Sequence, residues 1–202
     1  ENLSIKHETD LTAGKLAARI PQAHLDFTSD LLARHGVDAQ SLTPSRNDDA
    51  PPPFWPAEAM ELLRVAFNHP IKLIANALGV PPVEMIQMGR DHNVPVAALA
   101  GAKEHALRLA AAGVDIIVAQ GGEGGGHCGE VATLVLIPEV VRALRAKGHD
   151  IPVLAAGGIM TGEQMAACMA MGAAGAWTGS VWLATVESEC SDIFREKMVD
   201  AR

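Results

Sequence analysis

Short apolar runs alternate with amphipathic segments from residue 71 to the end of the chain. Each run leads through a turn rich in glycine or proline into a segment with helical periodicity. The runs are continuously apolar, as is typical of parallel strands that are buried on both faces. The pattern predicts five parallel βα units. Their strands are expected to start near Ile71, Val94, Val114, Ile151 and Ala174.

Residues 1–70 follow a different pattern, with helical periodicity and no convincing strand. Helices are predicted within 11–20, 24–36 and 56–70. The stretch 41–56, SLTPSRNDDAPPPFWP, is polar and rich in proline, which predicts an exposed loop or linker. We therefore predict two regions, a helical and proline-rich insert or lid over 1–70 and a βα region over 71–202.

Two strand-end loops have the composition of a phosphate-binding cradle. The sequences AAGG (155–158) and TGS (178–180) each follow an apolar strand and precede a helical start. In (β/α)8 TIM barrels a phosphate group commonly lies on the loops after the last two strands. We therefore predict a TIM barrel of which this chain carries about the last five βα units plus the helical insert, without the three N-terminal strands. The alternative is an open doubly wound sheet, although the first βα turn lacks a GxGxxG sequence.

The loop after the third predicted strand, QGGEGGGHCGE at 120–130, contains many glycines and one histidine. Glycine lets backbone N–H groups approach a ligand closely because it has no Cβ. The imidazole of His127 is a side chain that can move a proton near neutral pH. A glycine-rich turn with an incidental histidine is the alternative, since a glycine motif alone is a weak signal.

Composition removes several classes of function. The net charge of −8 and the absence of a basic cluster argue against a nucleic-acid partner. No apolar run reaches the roughly 18–20 residues of a membrane span, so no membrane partner is expected. Three cysteines without CxxC spacing, and histidines without metal-ligand spacing, argue against a metal site and for a reducing compartment. We therefore expect a cytoplasmic protein.

Two segments carry a resemblance to a known family. VAQGGEGGGHCGEVATLVLIPEVV and PVLAAGGIMTGEQMAACMAMGAAGAWTGSVWLAT resemble the nitronate monooxygenase (2-nitropropane dioxygenase-like) family of FMN-dependent barrels, over about residues 71–189. The resemblance implies FMN as cofactor and oxidation of alkyl nitronates or nitroalkanes by O2 to carbonyl compounds and nitrite. Related FMN enzymes reduce enoyl or acyl thioesters with NAD(P)H, which is one alternative. A non-redox barrel that binds a phosphate ligand is another.

The resemblance also implies roles for single residues. His127 matches the catalytic base, Gln120 matches a residue that hydrogen-bonds the isoalloxazine ring, and Gly125 with Gly126 match the close-approach glycines beside the flavin. The phosphate cradle is matched by Gly157, Gly158, Gly179 and Ser180.

Three further assignments are less specific. Asn76 at a strand end either faces the substrate or forms a turn. Glu130 is interpreted as an acidic residue that favours a helix N-terminus, and Cys128 as a packing residue. The stretch 41–70 is longer than the family needs, and it is expected to form a lid over the active-site mouth or a contact in a homo-oligomer.

Overall fold

The computed structural model describes residues 12–38 and 56–201. The chain divides into two compact units, Glu1–Arg64 and Val65–Arg202. Helices α1 (Ala13–Ala17) and α2 (Gln22–Arg34) belong to the first unit, and α3 (Pro56–Phe67) crosses the division. The three helices predicted before residue 71 are therefore present. The loop predicted at 41–56 lies outside the described residues except for Pro56, and the functional division at residue 70 stays a prediction.

The second unit alternates strands with helices, as the apolar runs predict. Its strands are β1 (Ile74–Asn76), β2 (Val96–Ala100), β3 (Ile116–Gln120), β4 (Val153–Ala156) and β5 (Gly175–Trp177). Its helices are α4 (Val83–His92), α5 (Lys103–Ala112), α6 (Thr133–Ala146), α7 (Gly162–Ala170) and α8 (Asp192–Asp200), with a short 3-10 helix at Ser180–Ala184. Within 12–38 and 56–201, no helix is long and apolar enough to cross a lipid bilayer.

The five strands are all parallel and lie side by side in chain order, from β1 to β5. A doubly wound sheet would reverse its strand order at a switch point, where successive strands lie on opposite sides of the first. A barrel instead adds each new strand next to the previous one. The observed order is that of a barrel and rules out the doubly wound alternative for this sheet.

The two faces of the sheet have different surroundings because side chains alternate along each strand. One face packs on α5 and α6, and its fully buried residues include Ile117 of β3 and Leu136 with Ile137 of α6. The opposite face carries a smaller apolar cluster around Ala97, Val118 and Ala156. Leu99, Leu154 and Trp177 extend that cluster and are only partly buried. This second face corresponds to the interior of a barrel, and it ends at the loops that carry the candidate site.

Helix α6 contains a proline in its interior. Proline is most common in the first turn of a helix, yet α6 begins at Thr133 with Pro138 inside it. The proline nitrogen cannot donate to the carbonyl of Leu134, which removes one helical hydrogen bond. Leu136 and Ile137 are both fully buried against the sheet. Burying side chains of this size stabilises the fold by about 1.5–3 kcal/mol each, which offsets the missing bond.

Candidate functional site

A cavity of about 580 Å³ lies at the carboxyl ends of β3, β4 and β5. This is the end of a barrel where active sites are built from the βα loops. The structure brings together all seven residues that the resemblance assigns to the flavin. They are Gln120, Gly125, Gly126, Gly157, Gly158, Gly179 and Ser180. Their role in binding FMN stays a prediction.

The turn after β4 requires glycine for two reasons. Gly157 and Gly158 have φ angles of +104° and +70°, in the left-handed region that side chains disfavour. A Cβ on Gly157 would also lie 2.7 Å from Oγ1 of Thr133 and 3.0 Å from the carbonyl oxygen of Gly121. At Gly179, by contrast, a Cβ would meet nothing within 4 Å. The half of the predicted cradle at Gly157 is therefore fixed by packing, whereas the half at Gly179 faces open space.

The glycine-histidine loop, defined as residues 121–131, is closed by its own backbone. The N–H of Gly122 donates to the carbonyl of Val131 at 2.9 Å, across the two ends of the loop. Near the same end, Gly129 packs against the backbone of Gly101 in the β2–α5 turn, and a Cβ on Gly101 would lie 2.9 Å from Cα of Gly129. These contacts fix the base of the loop and direct its apex towards the cavity.

Gln120 ends β3 on the barrel-interior face and lies beneath the apex of this loop. Its Nε2 donates to the carbonyl of Gly125 at 3.5 Å, a long and therefore weak hydrogen bond. A Cβ on Gly124 would lie 2.6 Å from the same nitrogen. The absence of a side chain at Gly124 thus lets the loop lie directly on the Gln120 amide.

Glu123 anchors the loop to α6. Its carboxylate oxygen accepts hydrogen bonds from both the backbone N–H and the hydroxyl of Thr133, each at 2.8 Å. The N-cap residue of α6, Ala132, supplies no capping side chain, so Glu123 performs this function from the loop. The hydrogen bond from the Thr133 backbone is the main cause that holds the pKa of Glu123 below its usual value, followed by bonds from the backbone of Glu123 itself and from the Thr133 hydroxyl.

The interpretation of Glu130 is therefore corrected. Glu130 is exposed and precedes α6, which starts only at Thr133. The acidic group that contacts this helix start comes from Glu123. No sequence pattern signals this contact, because it depends on how the loop folds back over the ten residues between Glu123 and Thr133.

His127 lies exposed near the apex of the loop. It is adjacent to Gly126, which lines the cavity, but the imidazole is not among the described residues that do so. Its role as a base stays a prediction. Cys128 is also exposed, and its thiol donates to the carbonyl of Gly122 at 3.6 Å, so it contacts the loop's own backbone.

Asn76 forms the turn that follows β1. Its Nδ2 donates to the carbonyls of Leu78 and Gly79, both at 3.0 Å. Asn76 does not line the cavity in the part of the chain that the structure describes. The geometry favours the turn-forming alternative, and a contact with substrate stays a prediction.

Sequence reasoning did not identify the apolar residues that line the cavity, among them Trp177 and Met160. Trp177 lies at the end of β5 on the barrel-interior face, and Met160 is exposed in the loop after β4. The alternation along β5 is a signal that could have placed Trp177, although a strand of three residues shows it only weakly. Across 12–38 and 56–201, no three His, Cys, Asp or Glu side chains are arranged to hold a metal ion.

Comparison with known proteins gives consistent matches. A family model described as nitronate monooxygenase matches residues 54–202. A Mycobacterium tuberculosis protein with the provisional name of a monooxygenase is 50% identical over 182 residues, which cover 90% of this chain and 48% of that protein. A second protein of that organism, (3aS,4S,5R,7aS)-5-hydroxy-7a-methyl-1-oxo-octahydro-1H-indene-4-carboxyl-CoA dehydrogenase, is 36% identical over 145 residues, which cover 72% of this chain and 40% of that protein.

The solved structure of nitroalkane oxidase from Streptomyces ansochromogenes matches with a TM-score of 0.67 and 30% identity, over 84% of this chain and 48% of that one. This match and the sequential parallel strands confirm that the second unit is part of a TIM barrel. The chain spans about half the length, or less, of the relatives it matches.

Proposed function

Because the chain belongs to the nitronate monooxygenase family, we propose that its protein oxidises alkyl nitronates and nitroalkanes with O2 to carbonyl compounds and nitrite. The observation that carries the proposal is the cavity at the ends of β3, β4 and β5, where glycine-containing loops from all three strands meet. The match to a structure named as a nitroalkane oxidase supports the same reaction class.

The residues around the cavity fit FMN. The turn at Gly157 and Gly158 has positive φ angles and no side chains that would keep a ligand from its backbone, and the space beside Gly179 is free of protein atoms. The phosphate of FMN would be held there, while Gln120 and the loop apex at Gly125 would contact the ring. FMN supplies the electron-accepting chemistry when bound, and the protein supplies its binding and orientation.

His127 is the proposed base for neutral nitroalkanes. An imidazole can accept a proton at physiological pH, and the α-proton of a nitroalkane must leave before oxidation. A pre-formed nitronate has already lost this proton and needs no base. The two substrates therefore separate proton removal from the redox step.

We expect His127→Ala to lower kcat/KM for a nitroalkane by about 10²–10⁴-fold, the usual contribution of a general base. The loss on the matching pre-formed nitronate should be much smaller. Nitrite release from both substrates measures the difference. His24→Ala, which removes an exposed histidine of α2, is the matched control. Equal losses on the two substrates would exclude His127 as the base.

The match to a carboxyl-CoA dehydrogenase favours a second candidate, redox chemistry on an acyl thioester. Anaerobic mixing of the FMN-loaded protein with propionate-3-nitronate or with NADPH distinguishes the two. Loss of flavin absorbance with nitronate alone supports nitronate oxidation. Loss with NADPH, followed by recovery with an enoyl or acyl thioester, supports a reductase. A protein that stays colourless after addition of FMN contradicts both and favours a non-redox phosphate-binding barrel.

A further inference from the structure

We propose that Glu123 and Thr133 act as positioning residues, forming a clamp that fixes the glycine-histidine loop relative to the phosphate cradle. The inference rests on the proposed function for the identity of the ligand, but the clamp itself is defined by contacts within the protein.

The first half of the clamp joins the loop to α6. One carboxylate oxygen of Glu123 accepts both the backbone N–H and the hydroxyl of Thr133 at 2.8 Å. Hydrogen bonds to a charged group are stronger than neutral ones, and the positive end of the helix dipole adds to the attraction. The side chain of Glu123 therefore attaches the loop to α6 at Thr133. The glycines next to Glu123 have no side chain that could make this contact.

The second half joins α6 to the end of β4. The Thr133 hydroxyl lies 2.9 Å from the carbonyl oxygen of Gly157 and 3.2 Å from that of Ala156. Thr133 is buried, with 7% of its surface exposed. Its single hydroxyl proton can serve only one of its three acceptors at a time. The hydroxyl is thus shared between the loop and the strand end that forms the cradle.

The side chain of Glu123 also contacts the cradle directly. A Cβ on Gly158 would lie 3.1 Å from Cβ of Glu123, so the Glu123 stem packs over that glycine. Glu123 itself lines the cavity. Because its carboxylate accepts two hydrogen bonds at the start of α6, the negative charge is compensated there and is not left unpaired beside the cradle. Releasing the carboxylate would weaken both loop order and anion binding.

The test compares Thr133→Val, which removes the hydroxyl at nearly constant shape, with Thr133→Ser, which keeps it. Glu123→Ala removes the carboxylate, and Glu123→Gln keeps one acceptor without the charge. Hydrogen exchange of the loop amides 122–130 in flavin-free protein reports loop order. Quenching of flavin fluorescence gives the Kd for FMN. Ser191→Ala removes an unrelated N-cap, the one that accepts from Phe194 in α8, and serves as the control.

We expect Thr133→Val and Glu123→Ala each to speed loop exchange and raise the Kd for FMN by about tenfold, the equivalent of losing one charge-assisted hydrogen bond. Thr133→Ser should stay within about twofold of the unaltered protein. The ratio of nitroalkane to nitronate activity should also fall in the first two variants, because His127 lies in the displaced loop.

Loop exchange and an FMN Kd that change no more than in Ser191→Ala would overturn the clamp. If Thr133→Val does not fold, Glu123→Ala decides the question by the same two measurements. If the unaltered protein binds no FMN, the proposed function fails while hydrogen exchange still tests the clamp.

Discussion

The base and the apex of one glycine-rich loop use glycine for different physical reasons. At the base, a Cβ on Gly121 would lie 2.6 Å from Cα of Thr133 and closer still to its nitrogen and hydroxyl. At the apex, a Cβ on Gly126 would meet nothing within 4 Å, although the φ angle of +79° still disfavours a side chain there. The base glycines let backbone segments touch, whereas the apex glycines leave space in the cavity.

This contrast explains how a loop with few side chains can be well placed. The base is held by close backbone contacts and by the Glu123 carboxylate. The apex has room on its cavity side, which is where a planar ligand would approach. A glycine motif can therefore be required for two reasons, close backbone packing and open space for a ligand. Substitution of one glycine at a time distinguishes the two.

Gly121→Ala should have the largest effect on stability. The added methyl group would overlap Thr133, the first residue of α6, and two of the three nearest atoms belong to its backbone, which cannot rotate away. Ordinary overpacking costs about 1–3 kcal/mol, and contact with backbone atoms places this variant at about 3 kcal/mol or more. Urea denaturation followed by circular dichroism measures the loss.

Gly162→Ala is the matched control, because a Cβ at this first position of α7 would meet nothing within 4 Å. Alanine is the better helix former, so this variant should be at least as stable as the unaltered protein. If Gly121→Ala unfolds at the same urea concentration as the control, close packing does not explain the base of the loop.

The fold was predictable because burial on both faces leaves a strong signal. A short apolar run that is flanked by turns of glycine and proline, such as 114–119, is most simply interpreted as a buried strand. The boundaries were less predictable, because α6 continues through Pro138 by burying Leu136 and Ile137. The local preference of proline for a first turn does not show that burial of neighbouring side chains will outweigh one lost hydrogen bond.

The candidate site was predictable in its glycines and not in its supporting contacts. The loops after β3, β4 and β5 meet because parallel strands place their carboxyl ends on one edge. The pairing of Glu123 with Thr133 depends on the path of the loop between them, which no periodicity encodes. Long-range contacts of this kind require the tertiary structure.

Glu123→Gln should cause an intermediate, pH-dependent loss of stability. The folded protein holds the pKa of Glu123 below the ordinary value of 4.5. A lowered folded-state pKa contributes stability that is present above the unfolded value and is lost as the pH falls through the folded one. The difference in unfolding free energy between the unaltered protein and Glu123→Gln should therefore be largest near neutral pH and shrink in acid.

Urea denaturation at a series of pH values from neutral downwards measures this difference. The side chain is largely exposed, so solvent screening keeps the effect smaller than that of Gly121→Ala. Glu130→Gln removes the same charge from an exposed position of the same loop and controls for net charge. A difference that stays constant across the pH series would show that the Glu123 carboxylate does not stabilise the loop through its charge.

Gly125→Ala should have the smallest effect on stability. A Cβ at Gly125 would lie 3.2 Å from Oγ of Ser180, and this hydroxyl can rotate away. The unfolding free energy should stay within about 0.5 kcal/mol of the original, as for most substitutions outside the core. The Kd for FMN should nevertheless rise by about tenfold, because the methyl group would occupy space that the ring needs.

The double variant Gly125→Ala/Ser180→Ala identifies the cause of that loss. If the new methyl group acts by displacing Ser180, Ser180→Ala alone should weaken FMN binding as much as the double variant does. If the methyl group blocks the ring directly, the double variant should bind FMN more weakly than Ser180→Ala. An unchanged Kd in Gly125→Ala would contradict the proposed difference between base and apex. It would show that the space left by the apex glycines is not needed for FMN binding.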